Sequence, residues 1–110
     1  MAVYQTVTTI TGIFTYTDLH LNGKEILLAY DGNQTYRSTD RFDLTDSLIL
    51  QWTGQGLSFQ AWTITVQICA VLADGSLKNL PPWTQNGQVP SGGGSQLYQR
   101  IPVAVPGTAQ

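Results

Sequence analysis

The sequence predicts an all-β protein: an antiparallel β-sandwich of six to eight strands, jelly-roll or immunoglobulin-like, with a small barrel as the alternative. Three observations carry this. Apolar and polar residues alternate with a period of two over several stretches, which puts one face of each in a core. Threonine occurs 14 times and glutamine 11 times, with many β-branched and aromatic residues between them. Turn dipeptides recur at short spacing, at Asn22-Gly23, Asp31-Gly32, Asp74-Gly75 and Asn86-Gly87. Short alternating runs separated by such turns read as sandwich or barrel strands.

From the N-terminus, Val3 to Ile10 alternates loosely, with Tyr4, Thr6, Thr8 and Ile10 on one face. Gly12 interrupts the run, and Ile13 to Tyr16 continues it. Asp18 to Leu21 and Lys24 to Leu28 flank Asn22-Gly23, the best short hairpin signal because both turn residues need positive φ. A two-residue turn there sets Leu21 opposite Lys24 and His20 opposite Glu25. Tyr30 precedes the turn Asp31-Gly32-Asn33, and Thr35 to Thr39 reads as a short strand. Arg41 to Asp46 reads as a polar connection. Ser47 to Trp52 is a strand, broken by Thr53-Gly54-Gln55-Gly56. Leu57 to Leu72 is the longest strand pattern, with Trp62, Ile64, Val66 and Ile68 on its core face. Pro81-Pro82 stops any strand, and Trp83 to Gly94 reads as loop. Gln96 to Val105 is the last strand, with Leu97, Gln99, Ile101, Val103 and Val105 on one face and Pro102 marking an edge or an extended arm. Residues 1–90 thus form the sandwich core. Residues 91–110 add a Gly/Pro-containing segment to the same domain, ending in a frayed tail from Pro106 to Gln110.

Composition excludes several functions. A chain of 110 residues suits one domain with its own core. Five basic residues are too few for the electrostatic footprint of a nucleic-acid binder. One histidine and one cysteine cannot build an ordinary zinc site or an internal disulfide framework. The N-terminal residues lack the basic and apolar regions of a secretory signal. No apolar run approaches the roughly 20 residues of a membrane helix. The compartment is left open, and the single Cys69 is compatible with cytoplasmic synthesis.

Charge is unevenly placed. Nine of the twelve charged residues fall between Asp18 and Asp46, and none lies in residues 1–17 or from Ser47 to Ala73. Exposed strands normally carry charge against edge pairing. The uncharged stretches are expected either to be covered by another subunit of a homo-oligomer or to form a neutral, threonine- and glutamine-rich surface.

The residues that could carry chemistry are few. Nucleophilic catalysis needs a nucleophile, a base and an orienting group. Only His20 offers an imidazole, and Cys69 lies within a strand, so no catalytic residue is assigned. Asp40, Asp43 and Asp46, three apart, offer oxygens to Ca²⁺ if they share a loop, though their spacing is not that of an EF-hand. They fit helix or turn capping better, and no cofactor beyond this weak calcium site is expected. Gly92-Gly93-Gly94-Ser95 lacks the Lys-Ser/Thr ending of a phosphate loop. Asp31 and Asn33 form an oxygen-rich loop flanked by Tyr30 and Tyr36, the elements a sugar needs: acceptors for its hydroxyls and a ring beneath its apolar face. Trp83, after two prolines, is a further stacking candidate if exposed. Trp52 and Trp62 fall on core faces.

The function expected is a non-catalytic, lectin-like module that binds neutral carbohydrate, with Tyr30, Asp31, Asn33, Tyr36 and Trp83 as ligand-binding residues. The alternatives are a structural or assembly subunit of a virion, phage or secretion apparatus, working through uncharged strand faces and a C-terminal arm, and a protein-binding module or toxin component.

Overall fold

The computed structural model describes residues 2–103. They form two antiparallel sheets packed face to face and not closed into a barrel. The strands are β1 (Ala2–Thr11), β2 (Phe14–Leu21), β3 (Lys24–Ile26), β4 (Ala29–Tyr30), β5 (Thr35–Leu44), β6 (Ser47–Gly56), β7 (Ala61–Val71), β8 (Leu77–Asn79), β9 (Trp83–Gln88) and β10 (Gly94–Pro102). The larger sheet runs β4-β5-β1-β7, with β8 and β9 end to end along the far side of β7. The smaller runs β10-β6-β2-β3. The strand number exceeds the expected six to eight because three strands, β3, β4 and β8, have three residues or fewer.

The alternation places the core as expected. Tyr4, Thr6, Thr8 and Ile10 of β1 point inward with Ile64, Val66 and Ile68 of β7, against Leu19, Leu21, Leu48, Leu50 and Trp52 of the other sheet. Burial pushes the Tyr4 phenol above its ordinary value. The Asn22-Gly23 turn has φ of 51° and 79° and sets Leu21 opposite Lys24 and His20 opposite Glu25.

Three segments differ from expectation. Arg41 to Leu44 is not a connection: β5 continues to Leu44 because Tyr36, Phe42 and Leu44 keep the inward phase against β1. Gly54 does not break β6. It leaves room for the Trp52 indole, whose Cζ2 would lie 2.3 Å from an added Cβ. Residues 83–88 are strand rather than loop, with Gly87 opposite Trp62 and taking that indole in the same way. Residues 94–102 form the expected last strand, an edge strand rather than an arm: β10 pairs with β6 along its full length and buries Ile101. Val105 and the tail from Pro106 to Gln110 lie outside the described residues.

The Thr6 and Thr8 hydroxyls are buried with no hydrogen-bond partner. An unsatisfied buried hydroxyl costs about 1–3 kcal/mol, whereas an isosteric methyl costs nothing of that kind. Thr6→Val and Thr8→Val are therefore each expected to stabilise the fold by about 1 kcal/mol, read as a higher urea midpoint at unchanged m.

The topology also accounts for the missing charge. The uncharged β1, β6 and β7 are inner strands, hydrogen-bonded on both sides within the chain. Their edges need no protecting charge and no second subunit to cover them. The charges sit on strands with a free side: Lys24 and Glu25 on β3, Arg37, Asp40, Arg41 and Asp43 on β5, and Lys78 on β8. Among the described residues no helix is long and apolar enough to cross a membrane.

Candidate functional site

One end of the sandwich gathers the β1–β2 corner at 12–13 and the β4–β5 turn at 31–34. Between them lies a cleft of about 180 Å³ lined by Gly12, Ile13, Phe14, Tyr30, Gln34 and Tyr36. It contains two of the residues singled out in the sequence, Tyr30 and Tyr36.

The turn that shapes it is held in an uncommon conformation. Gly32, Asn33 and Gln34 have φ of 83°, 49° and 60°. Glycine takes this region freely and asparagine tolerates it, but glutamine rarely does. Such a residue persists only where its surroundings over-determine it. Here Gln34 N–H donates to the Tyr30 hydroxyl at 3.1 Å, and its C=O accepts from Gly12 N–H at 2.8 Å. The second bond clasps the turn to the β1–β2 corner. Asp31 N–H donates to Thr35 C=O, and Thr35 N–H to Gly32 C=O, closing the hairpin.

A line of aromatic rings runs from the cleft into the core. Tyr30 and Tyr36 have centroids 5.1 Å apart, Tyr36 and Phe14 6.0 Å, Phe14 and Trp52 5.5 Å, and Trp52 and Trp62 4.9 Å. Trp52 and Trp62 are buried and Phe14 and Tyr36 half-buried, while Tyr30 is 61 % exposed and Ile13 40 %. A rigid ring standing in solvent at the mouth of a cleft is a contact surface of low entropic cost. The cleft carries little field, because the Asp31 carboxylate is paired with Arg37 at 3.2 Å.

The other sequence candidates are placed differently. Asp31 and Asn33 lie in the turn beside the cleft, exposed and clear of its lining. Trp83 is not in the site. It sits on β9, on the far side of β7 from β1 and β5, and packs half-buried against the core because it is in phase with its partner Val66. Of the two placements the sequence left open for it, exposed or packed, it takes the packed one.

Asp40, Asp43 and Asp46 do not converge on a cation. Asp40 is on the inward phase of β5 and accepts from Ser38 Oγ at 2.6 Å, Asp43 points to the opposite face, and Asp46 lies in the next turn, 3.7 Å from Arg100. No group of three His, Cys, Asp or Glu side chains forms a metal cluster among the described residues. The helix cap they were expected to make is absent too, because this segment is strand. His20 lies 3.5 Å from Asp18, while Cys69 is buried in the other sheet, donating to Asn79 Oδ1 at 3.0 Å.

Nothing local in the sequence marks Ile13, Phe14 and Gln34 as lining residues. Ile13 and Phe14 reach Tyr30 because the β1–β5 ladder, ending at Thr11 opposite Thr35 and extended by the Gly12–Gln34 bond, sets two distant segments side by side. No family model, curated protein or solved structure matches this chain.

Proposed function

We propose that this protein is a non-catalytic binding module whose cleft takes a single ring of a neutral carbohydrate. The observation that carries the reading is the exposed Tyr30 ring, fixed by its hydroxyl to the clasped turn and backed by Tyr36, at the mouth of a cleft without net charge. A sugar ring offers an apolar face to such an aromatic and hydroxyls to the neighbouring Gln34, Asn33 and Asp31. The cleft is smaller than the roughly 300–1,000 Å³ of pockets for drug-sized ligands, which suits one ring and weak single-site binding. An affinity near 1 mM corresponds to about −4.1 kcal/mol.

The test is a titration of neutral mono- and disaccharides followed by amide NMR shifts and tryptophan emission. Binding should shift residues 12–14 and 30–36. Tyr30→Ala should weaken it by about tenfold, the effect of roughly 1.4 kcal/mol at an aromatic contact. Asp74→Ala, in the remote β7–β8 turn, should leave it unchanged. A broad glycan panel with no binder would overturn the reading, as would binding untouched by Tyr30→Ala.

A further inference from the structure

We infer that β10 is a self-pairing edge, through which two copies of this chain join their smaller sheets into one continuous sheet of eight strands. The first observation is which backbone groups are free. Val103 N–H donates to Asp46 C=O, and Gly56 N–H donates to Gly93 C=O. In an antiparallel pair the residues that exchange hydrogen bonds alternate along the strand. The odd-numbered residues of β10 therefore face β6 in this register, and Gly94, Gln96, Tyr98, Arg100 and Pro102 turn their backbone groups to the open side.

The second observation is that no other free side among the described residues combines this length with so little charge. β3 and β8 have three residues each and β4 two, and β5 carries four charges along its length. The β8–β9 side is interrupted by Pro81-Pro82, and the Gln85 amide covers the Asn86 carbonyl at 3.3 Å. β10 has nine residues and one charge, Arg100. Among the described residues its backbone cover is the Gln99 amide on the Arg100 carbonyl, at 3.2 Å, the same device as on β9, which a pairing strand would displace.

The third observation identifies the occupant. Long edges of this kind are templates for another strand, and β10 is complementary to itself. With a two-fold axis at Tyr98, Tyr98 faces Tyr98 of the partner subunit, Gln96 faces Arg100 of the partner subunit, and Gly94 faces Pro102 of the partner subunit. Every open N–H, at 94, 96, 98 and 100, then meets a carbonyl. The missing N–H of Pro102 falls at the ends of the ladder, where it leaves only the Gly94 carbonyl unpaired. The two arginines stay apart by about 13 Å, four residues of strand rise, so like charges are not opposed. The two Tyr98 rings, each 67 % exposed, come side by side on the outer face. Because the paired strands run in opposite directions, the two clefts point to opposite ends of the dimer. It would bridge two surfaces rather than grip one twice. The pairing is independent of what the cleft holds.

The test is sedimentation equilibrium across a wide dilution series, with cysteine cross-linking to read the register. The mass should rise from 12.0 kDa toward twice that value with concentration. Tyr98→Cys should give a covalent dimer on mild oxidation, because directly opposed Cα atoms lie within disulfide reach, at about 5.5 Å. Arg100→Cys alone should not, whereas Arg100→Cys mixed with Gln96→Cys should. Tyr98→Pro, which removes an outward N–H only, should hold the protein at the single-chain mass. Should that variant fail to fold, the cysteine pairs still decide the register. A mass of 12.0 kDa at every concentration would overturn the inference. Equal cross-linking at Tyr98→Cys and Arg100→Cys would also overturn it, as would growth beyond two copies.

Discussion

Trp52→Ala is expected to remove about 3–5 kcal/mol of folding stability, the cost of emptying a buried tryptophan site. Its ring is 2 % exposed and joins the two sheets, meeting Trp62 of the larger sheet at 4.9 Å and Phe14 edge-on at 5.5 Å. Little can collapse into the vacancy, because strands on either side are fixed by their ladders. A domain of this size has about 5–15 kcal/mol in total, so the variant should be marginal at room temperature. Urea unfolding followed by far-UV circular dichroism measures it. A loss below about 1 kcal/mol would show that the ring does not hold the sheets together. The same substitution should weaken ligand binding, because Phe14, which lines the cleft, rests against this indole.

The second large effect is expected at Gly54. An added methyl would stand 2.3 Å from Trp52 Cζ2 and 2.7 Å from Cη2, and the ring is buried against Phe14 and Trp62. Gly54→Ala should cost about 1–3 kcal/mol, the usual range for overpacking. The cost lies in a contact with one side chain, so it should shrink in a Trp52→Leu background, where the ring is gone. A double-mutant cycle in urea would show a coupling of at least about 1 kcal/mol. Additive effects would mean that the glycine is there for its backbone instead. Gly87→Ala should repeat the behaviour against Trp62, whose Cζ2 is also 2.3 Å from the added atom.

These glycines show where sequence reading succeeds and where it stops. The period of two placed Tyr4, Ile10, Trp62, Ile64, Val66 and Ile68 inside, and Asn22-Gly23 placed a hairpin in its correct register, because both signals are local. Gly54 and Gly87 look like breakers in the sequence and are strand residues in the fold. Their meaning depends on a tryptophan two residues away in one case and across a strand pair in the other. β5 was read too short for a similar reason. Its charged residues Arg37, Arg41 and Asp43 are the outward half of an alternation whose inward half is only partly apolar. Of the site, the turn and its two tyrosines were legible, because Asp-Gly-Asn between aromatics is a local pattern. The cleft was not, because its other wall comes from residues 12–14, which the pairing of β1 with the distant β5 brings beside the turn. Trp83 stays ambiguous in the sequence because a residue after two prolines resembles loop, and only its pairing with Val66 turns it inward.

The central place of β1 in its sheet sets the order in which the molecule can assemble. β1 is made before either of its neighbours, β5 and β7, and it has no partner adjacent in sequence. At about 5–20 residues per second of synthesis, it waits several seconds for Val71 to emerge. β5 can cover one edge once Leu44 has emerged, but the edge that β7 takes stays open for the whole of that time. Such non-local pairing makes folding slow, on the order of milliseconds to seconds even for the finished chain. The threonines on β1 take a second meaning from this. Thr6 and Thr8 weaken the finished core through their unpaired hydroxyls, yet they keep the waiting strand from being a continuous apolar template for its copies on neighbouring ribosomes. The stabilised Thr6→Val and Thr8→Val proteins should therefore yield less soluble protein during synthesis than the wild type, while outlasting it once folded.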